Sequence, residues 1–247
     1  MTPPEHFNTW TLLTRSLRVS LASWRNTLGL TLLFWVLPVV LWIVWLATAG
    51  ESASDAVTGT SLLLLILGLL IVSPASAGAI SYSAFQCLRG RTVSMGECLQ
   101  VTLPRILPIL WTSFVVFFLS LAGCMFCFFI GAGVFGVLYL AIPVAVVERA
   151  SMPNAFSRSW ALTEDYRLGL SLFVLLPAFV NYGLVIFSAA LADVGEGAMI
   201  SQILALCLIP TLLLTTLVGC VSLGVAYHDL RYLQEGDLGV NLVEIFE

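Results

Sequence analysis

Residues 106–147 read ILPILWTSFV VFFLSLAGCM FCFFIGAGVF GVLYLAIPVA VV, with no charged side chain at any position. A membrane-spanning helix needs about 20 predominantly apolar residues, so this run is too long for one crossing of a bilayer. The Gly-Ala-Gly sequence at residues 131–133 is the flexible point near its middle. We therefore expect two spans here, 106–129 and 132–147, joined by a turn at those glycines.

Further apolar stretches on both sides extend this pattern to the whole chain. Hydrophobic residues make up 60% of the sequence and charged residues only 10%, a composition far from that of a soluble domain. We expect one integral membrane domain over residues 1–247, with six spans near 28–49, 61–85, 106–129, 132–147, 168–192 and 198–226. The first span is too long and too rich in tryptophan for a cleaved signal peptide, so we expect it to be retained.

One proline lies inside or at the mouth of each expected span, at Pro38, Pro74, Pro108, Pro143, Pro177 and Pro210. Proline removes a backbone donor and would rarely recur in every helix of a soluble core. Membrane helices tolerate it, because neighbouring helices satisfy the freed carbonyl groups. The expected fold class is therefore all-α, a polytopic membrane protein.

The basic residues predict the orientation of this protein in the membrane. All ten are arginine, and every one falls before span one, between spans two and three, between spans four and five, or after span six. The charged residues of the opposite loops are all acidic. Since cytoplasmic loops are enriched in basic residues, we expect both termini to be cytoplasmic.

Each cytoplasmic segment before an odd-numbered span has an amphipathic helical pattern. The second begins with Ser94 and Glu97 at capping-box spacing, and the third has Pro153 in its first turn. In the first, the apolar residues at helical spacing are Trp10, Leu13, Leu17, Leu21 and Trp24. The chain is thus expected to contain three cytoplasmic amphipathic helices and three similar hairpin units, a pseudo-repeat.

Few polar side chains lie within the expected spans, and none of them is Asp, Glu or Arg. The candidate intramembrane polar positions are Asn181 and Tyr182 in span five and Gln202 in span six. Asn181 could line a substrate path beside a proline, but such a residue more often joins two helices by hydrogen bonds, which is the favoured interpretation.

Small residues dominate the inner half of span two, where Ala75, Ala79 and Ser83 form a face that permits close helix packing. Span six repeats the pattern around Gly219 and Gly224. We expect these two helices to meet near the cytoplasmic side, the alternative being a narrow polar crevice.

The sequence contains no motif of a known catalytic, metal or cofactor site. Cys124 and Cys127 form a CxxC pair near the outer end of span three, which could be a thiol–disulfide centre. Cysteine acting as a small apolar residue is the better interpretation. We expect no catalytic residue, no metal and no cofactor, and therefore no enzyme.

The most distinctive motif is Tyr227-His228-Asp229-Leu230-Arg231 followed by Glu235-Gly236-Asp237. With Glu148-Arg149 and the sequence RSWALT at residues 158–163, it resembles a bacterial family of six-span membrane proteins. That family includes the membrane domain joined to glycerophosphodiester phosphodiesterases and is similar to the YciC-like inner-membrane proteins. The resemblance is densest from Pro143 to Asp237 and implies a six-span fold. It does not imply phosphodiesterase activity, because that chemistry belongs to a fused soluble domain.

The charged residues of this region form the candidate functional site. Arg231 and Glu235 have the spacing of an i,i+4 helical pair. The expected cytoplasmic charge cluster contains Glu148, Arg158, Asp229, Arg231 and Glu235. It would either hold the three hairpins together or form a docking surface for a soluble protein partner.

The sequence thus predicts a non-enzymatic inner-membrane scaffold or accessory component that acts at the cytoplasmic face. Its expected partners are membrane lipids, anionic ones among them, and a cytoplasmic protein, with no nucleic acid. The alternative is a small transporter or lipid-handling permease with a proline-hinged path.

Overall fold

The structure is a computed structural model that describes residues 8–36, 40, 71–126, 128–173, 180, 183, 186–187, 190 and 198–236. These residues are almost entirely helical, and no strand occurs among them. The all-α fold class is confirmed. Of the six expected spans, the first, second, third and fifth fall partly outside the described residues.

The described residues form nine numbered α-helices. They are α1 Thr9–Ala22, α2 Trp24–Thr31, α3 Ser73–Leu88, α4 Met95–Thr102, α5 Ile106–Phe126, α6 Phe128–Leu138, α7 Ala141–Val147, α8 Met152–Leu162 and α9 Ala198–Glu235. A π-helical turn, Leu32–Val36, extends α2, and the 3₁₀ turn Leu103–Arg105 joins α4 to α5. Residues 167–173 are also helical.

Two segments of the described chain are long and apolar enough to cross a membrane. They are Met95–Gly123, which comprises α4 and most of α5, and Pro210–Glu235, which is the greater part of α9. The long helix α9 continues through Pro210 without a break in its assignment. This continuity agrees with the tolerance of membrane helices for proline.

The centre of the bundle is α3, which packs most extensively against α9 and also contacts α1, α2, α4, α5 and α7. Small residues make this close packing possible. A Cβ atom on Gly224 of α9 would overlap the carbonyl oxygen of Ser81 and lie 2.9 Å from the Cβ of Ala84. The expected contact between the small-residue faces of spans two and six is therefore confirmed.

The long uncharged run forms a helical hairpin, but its turn is not where the sequence predicted it. Val116 of α5 packs with Val137 and Leu138 of α6, so the chain reverses between these two helices. Residues 131–133 are helical. The predicted turn at those glycines was wrong, because glycine permits a turn without requiring one and here it lies inside a packed helix.

The three amphipathic segments are helices α1, α4 and α8. The capping box of α4 is confirmed, since the Ser94 Oγ accepts from the Glu97 N–H and Glu97 accepts from the Ser94 N–H. In α1, the buried side comprises Leu12, Ser16, Val19 and Ser20. The apolar stripe of α1 points elsewhere, and Trp10 and Leu21 are 68% and 74% exposed.

Candidate functional site

Three helix ends converge on the residues predicted to form a charge cluster. Glu148 follows the last residue of α7, and Arg158 lies on α8. Arg149 between them has φ = 55°, the left-handed conformation, which turns the chain from one helix toward the next. On α9, Tyr227, Arg231 and Glu235 are spaced four residues apart and share one face.

These five residues (Glu148, Arg158, Tyr227, Arg231 and Glu235) form a closed set of polar contacts that we call the charge ring. The Tyr227 hydroxyl donates to Glu148 Oε1 at 2.7 Å and accepts from Arg231 Nη1 at 2.9 Å. Arg231 Nε donates to Glu235 Oε2 at 2.9 Å. Arg158 pairs with Glu235 through Nη2 and with Glu148 through Nε at 3.4 Å, which completes the ring.

The ring joins α7, α8 and α9 through groups that satisfy one another. Tyr227 is fully buried, and its ring lies 5.4 Å from that of Phe85 on α3. The charged side chains are about one-quarter to one-third exposed, so each ion pair taken alone adds little stability. They contribute to stability mainly as a network, because each group orients the next.

The structure brings together four of the five residues predicted for this site. The i,i+4 pair of Arg231 and Glu235 is confirmed. Asp229 lies apart from the ring: its carboxylate pairs with Arg15 Nη1 of α1 at 3.0 Å and with His228 Nδ1 at 3.1 Å. At two residues from Arg231, Asp229 occupies another face of α9 and therefore binds a different helix.

Three members of these contacts were missed by the sequence reasoning. Tyr227 is the hub of the ring, Arg15 holds Asp229, and Gln234 donates to the carbonyl groups of Ala161 and Leu162 at the end of α8. The signal for Tyr227 was present, since it precedes Arg231 by one helical turn. The pairing of Arg15 with Asp229 had no local signal.

Hydrogen bonds deeper in the bundle support the same helices. The Tyr139 hydroxyl lies 2.6 Å from Ser222 Oγ of α9 and donates to the carbonyl of Gly219 at 3.1 Å. Ser159 of α8 donates to the carbonyl of Val137 at 2.7 Å. The last turn of α6 and the residue after it are thus tied to both α8 and α9.

The remaining predicted positions lie wholly or partly outside what the structure describes. Asn181, Tyr182 and Cys127 are outside the described residues, and so are the side chains of Gln202 and Cys124. Within the described part of the chain, no group of three or more His, Cys, Asp or Glu side chains could hold a metal ion.

Comparisons with known proteins identify no relative: no family model, no curated protein and no solved structure matches this chain. The function must therefore be argued from the residues and their geometry alone.

Proposed function

We propose that this chain is a six-span integral protein of a bacterial inner membrane that serves as a scaffold or accessory component, with both termini and its charged face in the cytoplasm. It is non-enzymatic in this proposal, and it belongs with the YciC-like proteins that its Tyr227–Asp237 motif resembles.

The exposed surface of α5 is the observation that carries the membrane assignment. Large apolar side chains cover it along its length, including Leu107, Trp111, Phe118, Leu121 and Met125. A soluble protein rarely exposes so large a contiguous apolar patch. A bilayer is the environment in which such a surface is stable, because lipid tails are as apolar as these side chains.

The positions of charge and aromatic residues support the proposed orientation. In α1, the exposed stripe with Trp10 and Leu21 adjoins the exposed Arg18. Near α8, the Arg167 guanidinium lies 4.2 Å from the ring centre of Trp160 on that helix. Tryptophan and arginine together are typical of the boundary between a bilayer and water, so these helices are proposed to lie on an anionic leaflet.

The packing of α3, α7 and α9 supports the proposed pseudo-repeat. Each of these helices belongs to the returning span of one hairpin unit, and each contacts the other two. The amphipathic helices α1 and α8 pack on α9, and α4 packs on α3. Three hairpins joined through their returning spans would give this arrangement.

The filled centre favours a scaffold over the alternative, a lipid-handling permease. A Cβ atom on Gly78 of α3 would lie 3.3 Å from side-chain atoms of both Thr102 and Val146, which leaves little room for a path there. Ser76 and Ala79 on α3 are fully buried.

Cysteine labelling tests the proposed topology. In a cysteine-free background, single cysteines at Ser54 and Gly195 should react with an impermeant thiol reagent in intact cells, because both positions fall in predicted outer loops. Cysteines at Thr92 and Gln234 should react only after lysis. Both of these positions are exposed, so burial would not explain a lack of reaction in cells.

Labelling of the Thr92 and Gln234 variants in intact cells, with none at Ser54 and Gly195, would reverse the orientation. Reaction at all four positions would contradict the membrane assignment itself.

A further inference from the structure

A cavity of about 580 Å³ opens where α1 and α2 meet the end of α3. Its volume lies within the range of pockets that bind small molecules, about 300–1,000 Å³. The walls include Trp24, Arg25 and Asn26 at the start of α2, and Arg91 and Thr92 from the loop after α3. The cavity therefore lies at the proposed cytoplasmic edge of the bilayer.

The charge of this cavity is positive. Both Arg25 and Arg91 line it, and none of the described residues that line it is acidic. Neither arginine has an ion-pair partner within the described ranges of the chain, unlike Arg158 and Arg231 in the charge ring. Burial raises the pKa of the Cys87 thiol in the wall, so this group stays uncharged at neutral pH and does not repel an anion.

The loop that carries Arg91 is held in place at both ends. At the end of α3, the N–H groups of Gly90 and Arg91 donate to the carbonyls of Cys87 and Gln86, each at 3.0 Å. Gly90 has φ = 74°, and this is the geometry of a Schellman helix end. Farther on, the Asn26 amide donates to the Val93 carbonyl, which ties the loop to α2.

One further polar donor lies in the lining. Thr92 is exposed there near Trp24, whereas the Ser23 hydroxyl donates to the Val19 carbonyl at 2.8 Å. Guanidinium groups and hydroxyls are the side chains that bind phosphate oxygens, the arginines by paired N–H groups. Basic pockets between membrane helices on the cytoplasmic side bind the head groups of anionic lipids.

We propose that this cavity binds a phosphate group through Arg25 and Arg91, supplied by the head group of an anionic phospholipid. The site rests on the proposed membrane function, since the bilayer is what would place the lipid phosphate at the cavity. A free phosphate ion offers the same oxygens, and the experiment distinguishes the two sources.

The test uses the full-length protein purified in a neutral detergent. Phosphatidylglycerol, phosphatidylcholine and inorganic phosphate are added in separate arms, and bound lipid is measured by native mass spectrometry with the melting temperature as a second readout. We expect phosphatidylglycerol to bind and raise the melting temperature. The Arg25→Gln and Arg91→Gln variants should each bind it about tenfold more weakly, as expected for the loss of one charged hydrogen-bonding group.

A matched control is available in the same loop. Arg89 is exposed there but lies outside the cavity, with its guanidinium 5.6 Å from the Phe85 ring centre. The Arg89→Gln variant removes the same charge and should bind phosphatidylglycerol as the parent does. All three variants should melt near the parent temperature without lipid, because each side chain is on the surface.

The outcomes separate the site from the membrane assignment. Binding of inorganic phosphate that Arg25→Gln and Arg91→Gln weaken, with no preference for phosphatidylglycerol, would overturn the lipid source and leave a phosphate site. Equal loss in all three variants, or no loss in any, would overturn the site while the cysteine-labelling result stood. If all four cysteine positions react in intact cells and the protein still binds phosphate through both arginines, the membrane function alone is overturned.

Discussion

At the scale of single residues, the charge ring is the feature with the clearest energetic consequence. Arg158 and Arg231 lie on different helices and share Glu235 as a partner. Residues in one polar network show coupling energies of about 0.5–3 kcal/mol in double-mutant cycles. We therefore expect Arg158→Ala and Arg231→Ala each to lower the free energy of unfolding, and the double variant to lose less than the sum, as measured by denaturation in detergent.

Asp229 supplies the control for this cycle. Although it is only two residues from Arg231, its partners are Arg15 and His228. The losses from Arg231→Ala and Asp229→Ala should therefore add, because the two side chains belong to separate contacts. Additive losses for Arg158 with Arg231, combined with coupling between Arg231 and Asp229, would contradict the ring as described.

Residue contacts within one helix were predictable, whereas those between distant segments were predictable only in part. The pair of Arg231 and Glu235 follows from helical spacing alone. The pairing of Arg15 with Asp229 depends on how the first helix packs against the last, which no local pattern records. The sequence analysis therefore placed Asp229 in the charge cluster, whereas it pairs with Arg15.

At the scale of helices, the contact between α3 and α9 gives a test with a control on the same helix. Gly224→Ala should lower the melting temperature, because the added Cβ would overlap the Ser81 carbonyl, which cannot move without shifting α3. Overpacking of this kind costs about 1–3 kcal/mol. In Gly219→Ala the added Cβ meets nothing within 4 Å, so the gain in helix propensity should leave stability equal or higher.

A Gly224→Ala protein as stable as the parent would mean that α3 and α9 pack less closely than the structure describes.

The positions of the helices were largely predictable from the sequence. The capping box placed the start of α4 correctly, since it depends only on residues within one turn. The turn between α5 and α6 was misplaced, because apolar sequence with several glycines offers more than one point of reversal.

At the scale of the whole molecule, the two proposed roles differ in what the centre of the bundle admits. A scaffold needs a filled core, whereas a permease needs a path that reaches the small residues of α3. Ser76 is fully buried on that helix, so Ser76→Cys should react slowly with a small thiol reagent in permeabilised cells. Thr92→Cys, exposed in the loop after α3, is the reference for rapid labelling. Equal rates at the two positions would favour the permease.

The helical class could be predicted from composition and periodicity. A chain with so few charged residues is suited to an apolar environment, where a helix satisfies the hydrogen bonds of the backbone N–H and C=O groups within one segment. The six spans rest on the apolar stretches of the sequence and their orientation on the positions of the arginines, and both stay predictions. The charge ring could be predicted in part, because helical spacing places charges along one helix but does not show which other helices they meet.

The contact of α3 with α9 also bears on how the protein is made. The ribosome completes α3 well before α9, so in the proposed membrane protein the small-residue face of α3 lacks its main helix partner until α9 has been made. The α5–α6 hairpin, by contrast, pairs neighbouring segments and does not depend on a distant one. Chains that stop before α9 would leave the small-residue face of α3 uncovered, and we expect them to be degraded faster than the full chain.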